Sequence, residues 1–189
     1  AIAAEGKRTR HYLPPNDEHI KAADVPRPDD VPDTEIPYNP RYLTTANYGM
    51  TRHADLFTNR QLISLATFSD LALKTRELIA KNACSTGLNA DTASSYANDV
   101  TTYLSLAISR LADVQNSLCG WSNSRDQIRN LFTRQAIPML WDFAEAGLFS
   151  QAAGDYEISL SSVVKVLEGQ PAEGIGVIKW QNASQCHYK

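Results

Sequence analysis

The sequence predicts a mainly α protein: an antiparallel helical bundle with a proline-rich N-terminal arm and a short C-terminal β-strand. Three features of the chain lead to this fold class. Seven of the nine prolines fall within residues 1–47, apolar residues then recur at helical spacing, and an apolar run follows Gly174 near the end. We therefore divide the chain into an extended arm (residues 1–47), a helical domain (residues 48–170) and a terminal strand (residues 171–189).

The proline-rich arm should contain no regular helix. Proline lacks a backbone donor and biases the residue before it toward extended geometry. Short strands are expected around residues 10–13 and 41–45. We interpret the arm as a segment that lies over a partner surface or acts as a tether. The terminal strand is not stable alone, so it would pair with the arm or with a sheet that lies outside this chain.

Cap residues predict where the first two helices begin. Thr58 and Gln61 have the spacing of a capping box, and the helix after them should reach about residue 82. Asn89 or Asp91 should cap the second helix. The second helix carries the most regular apolar stripe of the chain, which consists of Tyr96, Val100, Tyr103, Ala107, Leu111, Val114 and Leu118.

Two further helices are expected in the helical domain. Ser124 should cap a third helix at residues 125–136, which Pro138 then ends or kinks. Asp155 should cap a fourth helix, and Gly169 lies where that helix should stop. The apolar stripe should make the second helix the spine of the domain, packed against the first in an antiparallel pair within the bundle.

Charge and cysteine content limit the classes of function. The 18 Lys and Arg residues are outnumbered by 21 Asp and Glu residues, which gives a net charge of −3. Dedicated nucleic-acid-binding domains are usually strongly basic, so this chain should bind DNA poorly by itself. Its three widely spaced cysteines fit neither a disulfide framework nor a closed zinc site, and they suit a reducing cytoplasm. No apolar run approaches the roughly 20 residues of a membrane helix.

Several separated motifs resemble one protein family. They are YGMT at residues 48–51, DLFTNRQ at 55–61, YLSLAISRLA at 103–112 and IRNLFTRQAIPMLWDFAEAGLF at 128–149. These segments resemble, in the same order, the adenine-specific DNA methylases that contain a zinc ribbon. The resemblance extends from about residue 43 to the end of the chain, and the arm matches it much less well.

The resemblance implies an internal position within a methyltransferase. In the family pattern the S-adenosylmethionine motif comes earlier, and the catalytic Asp-Pro-Pro-Tyr motif follows the strand that ends this chain. The chain would then hold no catalytic residue, no cofactor and no metal, and its parent enzyme would use S-adenosylmethionine to methylate adenine in the cytoplasm. Its partners would be DNA, through the parent enzyme, and the rest of the methyltransferase domain, without a membrane.

The chain itself contains no Asp-Pro-Pro-Tyr motif, which also predicts that it holds no catalytic residue. The nearest match to the catalytic motif is NPRY at residues 39–42, which has arginine where the second proline belongs. We interpret it as a turn in the arm. The GIG sequence at residues 174–176 precedes a strand, whereas nucleotide-binding glycines follow one, so we interpret it as a turn as well.

Arginines are the main candidate DNA-binding residues, because guanidinium groups bind phosphates and guanine edges. A helix at residues 125–136 would place Arg125 and Arg129 on one face and Arg134 roughly opposite. The alternative for each candidate is a solvated, salt-bridged or capping side chain, and the corresponding function is a scaffold without DNA contact. Clustering of the arginines on one folded surface would favour DNA contact. The tentative set is Arg52, Arg60, Gln61, Arg125, Arg129 and Arg134.

Aromatic residues are a second, weaker source of candidates. Trp121, Trp141 and Phe143 have the planar faces that stack on an unstacked base. Most aromatic side chains at such spacing belong to a core, which is the alternative interpretation for these three.

Overall fold

The computed structural model describes residues 2–170 apart from residues 6, 8 and 32. Within that part the chain contains four α-helices, two short 3-10 helices and two small antiparallel sheets. The mainly α class is therefore confirmed. The terminal strand expected at residues 171–189 lies outside the described residues.

The N-terminal segment has more regular structure than its prolines suggest. Strand β1 (Ile2–Glu5) pairs antiparallel with β2 (Arg10–Leu13), which confirms the strand expected at that place. The expectation of no regular helix is wrong, because α1 (Asp17–Ala23) forms in a proline-free stretch after Asn16. The Asn16 Oδ1 atom accepts a hydrogen bond from the His19 backbone N at 2.9 Å and thereby caps this helix.

Residues 41–45 form no strand. Leu43 instead makes a single bridge to Ile137, and Thr44–Tyr48 follows as a 3-10 helix. A second 3-10 helix, His53–Leu56, precedes the first long helix. The Leu43–Ile137 bridge therefore connects this part of the chain to a segment that comes much later in the sequence.

The two long helices begin where their caps predict. Helix α2 (Asn59–Ser85) follows Thr58, whose Oγ1 accepts the Gln61 backbone N–H at 3.3 Å. In return, the Gln61 Oε1 accepts the Thr58 backbone N–H at 2.8 Å. Helix α3 (Ala90–Ala112) follows Asn89, whose side chain accepts a backbone N–H of the first turn at 2.9 Å.

Helices α2 and α3 pack along each other as a hairpin that turns at residues 86–89. Arg76 Nη1 lies 3.4 Å from Asn98 Oδ1, a contact that fits an antiparallel register. The apolar-stripe prediction is wrong for Tyr96 and Tyr103, which are exposed. Mostly small side chains are buried in their place, and these let a neighbouring helix approach closely. The buried residues of α3 are Ala93, Ala97, Thr101, Ala107 and Leu111.

Helix α4 (Tyr156–Glu168) confirms the fourth predicted helix. At its start the Asp155 Oδ1 accepts a backbone N–H at 2.7 Å, and Gly169 caps its end. The Tyr156 ring stacks on Phe68 of α2, with ring centroids 4.5 Å apart. Since α4 also contacts α3, the three longest helices of the described part pack together.

The third predicted helix, at residues 125–136, does not form. Strands β3 (Trp121–Ser122) and β4 (Gln127–Ile128) make an antiparallel hairpin instead. Asp126, in the turn of this hairpin, has a left-handed φ of 47°. Beyond β4 the chain is largely irregular until α4 begins.

The main core cluster explains why the apolar spacing in residues 125–136 predicted a helix that does not form. Ile128 and Leu131 have the three-residue spacing of a helix face, yet they enter the core from a strand and from the loop after it. Core contact, rather than helical periodicity, accounts for their apolar character. The buried members of this cluster are Ile36, Leu56, Leu118, Cys119, Ile128, Leu131 and Ala146.

Candidate nucleic-acid interface

Three of the six candidate residues surround one surface cavity. Arg125, Arg129 and Arg134 line a cavity of about 590 Å³, and all three residues are exposed. We call this cavity the arginine cleft. Its other lining residues are the polar Ser122, Ser124, Gln127, Asn130 and Thr133, together with Leu118, Gly120, Ile128, Leu131, Ala136, Pro138 and Leu140.

The β3–β4 hairpin positions the first two arginines. Arg125 lies in the four-residue turn, where its backbone N donates to the Ser122 carbonyl at 3.2 Å. Arg129 follows β4, and its backbone N donates to the Gly120 carbonyl at 2.8 Å. Because the segment is a hairpin and a loop rather than a helix, Arg134 lines the same cavity instead of an opposite face.

Asp113 holds the loop that follows Arg129. Its two carboxylate oxygens accept hydrogen bonds from Asn130 Nδ2 and from the Phe132 backbone N, each at 2.7 Å. Its backbone carbonyl accepts the Leu131 N–H at 3.0 Å. Asp113 is also the C-cap of α3, so these bonds fasten one wall of the cleft to the end of that helix.

The cleft concentrates positive charge in an otherwise acidic chain. None of its three arginines forms an ion pair with a residue that the structure describes. Exposed guanidinium groups beside hydroxyl and amide side chains are the donors that proteins use to bind phosphate oxygens. The arrangement therefore suits an anionic ligand such as a phosphodiester.

Arg52 does not line the cleft and has acidic partners. Its Nη1 donates to the Asp33 carbonyl at 2.7 Å and lies 3.4 Å from Asp33 Oδ2. Its Nη2 lies 3.9 Å from Glu35 Oε1. These contacts join the arm to the start of the helical domain and offset the charge of Arg52 within the chain.

Arg60 and Gln61 have structural contacts. The Arg60 Nε donates to both carboxylate oxygens of Glu145, at 2.7 and 2.8 Å, and its Nη2 also donates to Oε2. These hydrogen bonds raise the pKa of Arg60. Gln61 caps α2 and is only 1% exposed, so a ligand at the surface does not reach it. Of the five candidate arginines, Arg125, Arg129 and Arg134 are the ones without an acidic partner in the described part of the chain.

Arg60→Ala should lower the free energy of unfolding by about 1 kcal/mol, because Glu145 loses its partner in a partly exposed pair. DNA affinity should not change. Urea denaturation and DNA titration of the same variant measure the two quantities. The double variant Arg60→Ala/Glu145→Ala should lose less free energy of unfolding than the sum of the two single variants, because each single change removes the same interaction. A loss of DNA affinity at unchanged stability would instead place Arg60 in the interface.

Two further features of the described residues, the Cys119 thiol and the NPRY sequence, have structural contacts. Burial raises the pKa of the Cys119 thiol to about 11, so this thiol stays protonated at neutral pH. In the NPRY sequence, Asn39 Oδ1 accepts the Tyr42 N–H at 3.3 Å and the Asn39 carbonyl accepts the Leu43 N–H at 2.7 Å, which is a turn as expected. No group of three or more His, Cys, Asp or Glu residues in this part of the chain could hold a metal ion.

Two features beside the cleft were not predicted from the sequence. Asp113 bonds to a loop that lies 17 to 19 residues further along, and local spacing carries no signal for such contacts. Tyr48 and Trp141 form an exposed edge-to-face pair near the cleft, although they are far apart in sequence. Trp141 was a candidate from its residue type, because its planar face can stack on an unstacked base, whereas Tyr48 was noted only as part of a family-like segment.

Comparisons with known proteins return no relative: no family model, no curated protein and no solved structure matches the chain. None of the described helices is long and apolar enough to cross a membrane. The site is thus characterised by its own geometry, which is three exposed guanidinium groups on loops anchored to the end of α3.

Proposed function

We propose that this chain is an internal helical region of an S-adenosylmethionine-dependent, adenine-specific DNA methyltransferase, and that it contacts DNA through the arginine cleft. In this proposal the helices form a bundle under a proline-rich arm. The rest of the parent enzyme binds the cofactor and transfers the methyl group in the cytoplasm. The family-like motifs at residues 48–61, 103–112 and 128–149, which follow one another in the same order as in the family, support this assignment.

The convergence of Arg125, Arg129 and Arg134 on one cleft carries the proposed DNA contact. A backbone phosphate accepts hydrogen bonds from guanidinium groups and from nearby hydroxyl and amide groups. Such contacts position a protein on DNA without reading its sequence. The cleft would therefore orient DNA relative to the catalytic part of the enzyme, and would not choose the target site.

Replacing all three cleft arginines with glutamine should weaken binding to duplex DNA, because glutamine keeps a polar side chain but removes the charge. Each lost phosphate contact should reduce the slope of log affinity against log salt by about one unit. At low salt, each should also weaken binding roughly tenfold. Fluorescence anisotropy titrations over a salt series measure both effects.

Arg76→Gln is the matched control for this experiment, since Arg76 is an exposed arginine on α2 that does not line the cleft. It should keep the parental affinity and the parental slope. Circular dichroism spectra would establish that the triple variant is folded. If the folded triple variant keeps the parental slope, the cleft does not bind phosphate and the proposed DNA contact is wrong.

A non-catalytic scaffold module is the alternative function. Such a module would pack on the catalytic core or on another subunit and would not touch DNA. The net charge of −3 favours it, because the chain as a whole repels DNA. Exposed apolar side chains on the long helices also favour it, since such surfaces often mark protein contacts. Leu73 and Leu78 of α2 and Leu106 of α3 are each more than half exposed.

A further inference from the structure

Tyr48 and Trp141 form an aromatic pair at the surface. Their ring centroids lie 5.3 Å apart and their planes make an angle of 78°, so the edge of one ring meets the face of the other. Tyr48 is 55% exposed and Trp141 is 74% exposed. Tryptophan is highly buried on average, because its large apolar surface favours removal from water. Large areas of both rings are thus available to a ligand.

The aromatic pair and the arginine cleft share a segment of chain. Pro138 and Leu140 line the cleft, and Trp141 is the next residue, so its Cα lies about 3.8 Å from that of Leu140. The Met139 N–H donates to Thr44 Oγ1 at 2.9 Å, which fastens this segment to the 3-10 helix that contains Tyr48. The Tyr48–Trp141 pair is therefore connected to the cleft through Leu140, on a segment that is held in place.

A fourth arginine lies near the same segment. The Arg41 guanidinium lies 5.3 Å from the centroid of the Tyr42 ring, and the Tyr42 carbonyl accepts the Ile137 N–H at 2.7 Å. Asp142, the exposed residue after Trp141, offsets part of this positive charge. The surface thus combines several guanidinium groups with exposed aromatic rings, which is the combination that binds single-stranded nucleic acid.

We propose that the Tyr48–Trp141 pair is a stacking platform for an unpaired nucleobase, and that the arginine cleft holds the phosphates next to that base. This inference rests on the proposed DNA contact and specifies its ligand as single-stranded or locally unpaired DNA. The faces of bases inside a duplex are covered by their neighbours, so only an unpaired base can stack on these rings. Stacking tolerates any base, because every base has an aromatic face.

Trp141→Ala should weaken binding to a labelled single-stranded oligothymidine roughly tenfold, since base stacking contributes an effect of this size. Binding to a duplex of the same length should change by less than about twofold, because phosphate contacts dominate there. The slope of log affinity against log salt should stay parental for both ligands. Anisotropy titrations of the full 189-residue chain measure these quantities.

Phe149→Ala is the matched control, because Phe149 is an exposed aromatic residue, 82% accessible, that contacts Phe68 of α2 instead of the cleft segment. It should bind both ligands like the parent. Trp141→Phe keeps an aromatic ring and should retain most of the single-strand affinity. Equal losses in the Phe149 and Trp141 variants, or equal losses for single strand and duplex, would overturn the stacking proposal.

Tryptophan fluorescence gives a second measurement that does not depend on the alanine variant being folded. Oligothymidine should quench the emission of the parent, and the part of the quenching that comes from Trp141 should disappear in Trp141→Phe. Identical quenching in the two proteins would overturn the proposal. If the Trp141 variants bind single strands like the parent while the arginine variants lose duplex binding, the stacking proposal is wrong and the proposed DNA contact through the cleft is supported. If the parent binds neither ligand, both proposals fail.

Discussion

Gly154→Ala should lower the free energy of unfolding by about 4 kcal/mol. Gly154 has a φ of +98°, a left-handed conformation that costs an L residue about 1–3 kcal/mol. A Cβ atom at this position would overlap the Cβ of Ala146 and lie 3.4 Å from Val114 Cγ2. Overpacking of this kind costs about another 1–3 kcal/mol. Urea denaturation followed by circular dichroism measures the loss.

The surroundings of Gly154 cannot move away without further cost. Buried Gln115 donates through Nε2 to the Ala146 carbonyl at 2.8 Å and to the Gly154 carbonyl at 3.4 Å. Gly87→Ala is the matched control, since Gly87 has a φ of +104° but no atom within 4 Å of the place that a Cβ would occupy. Gly87→Ala should lower the free energy of unfolding by only about 1 kcal/mol. Equal losses at the two positions would show that the contact with Ala146 is relieved by a backbone shift.

Leu111→Ala should also have a large effect, a loss of about 2–5 kcal/mol in the free energy of unfolding. Leu111 lies in the last turn of α3 and has no exposed surface. Truncating its side chain would leave a cavity in the packing of α3, a helix that contacts both α2 and α4. The size of the loss within this range depends on how far the neighbouring helices can close the cavity.

Leu106→Ala provides the comparison for Leu111, because it is the same change on the same helix at a residue that is 52% exposed. It should change the free energy of unfolding by less than about 0.5 kcal/mol. Denaturation curves with equal slopes for the parent and both variants would allow a direct comparison of the midpoints. A small effect at Leu111 would contradict the packing described for α3.

Helix starts were predictable from the sequence, because their signals are local. Thr58, Asn89 and Asp155 each accept a backbone N–H within three residues, so a short stretch of sequence contains the whole interaction. The buried faces were less predictable. Tyr96 is exposed although it begins the apolar stripe of α3, whereas neighbouring Ala97 is buried. The partner helix selects the buried face, and hydrophobicity alone does not identify that partner.

The missing third helix shows a second limit of local patterns. Ile128 and Leu131 are spaced as on a helix, but both are core residues in a strand and a loop. The bonds that favour the loop come from Asp113, whose carboxylate binds Asn130 and the Phe132 N–H. These interactions connect residues that are distant in sequence, so a pattern confined to residues 125–136 does not contain them.

Residue type identified the cleft arginines as candidates, but only the fold separated them from the other candidates. The partner of Arg60 is Glu145, which lies 85 residues further along the chain. No sequence spacing reveals that pair. Conversely, the helix expected around Arg125 and Arg134 would have moved these residues apart, and the hairpin brings them to one cavity. Charge clusters of this kind are therefore a product of loop geometry.

The turn of the α2–α3 hairpin and the arginine cleft lie at opposite ends of α3. Helix α2 has 27 residues and spans about 40 Å, and residues 84–92 at the turn are all exposed. The cleft is fastened to the opposite end of α3 through Asp113. Exposed turns of this kind tolerate insertion. Added turns in both helices, or a label placed at residues 86–89, would lengthen or mark the protein without altering the geometry of the cleft.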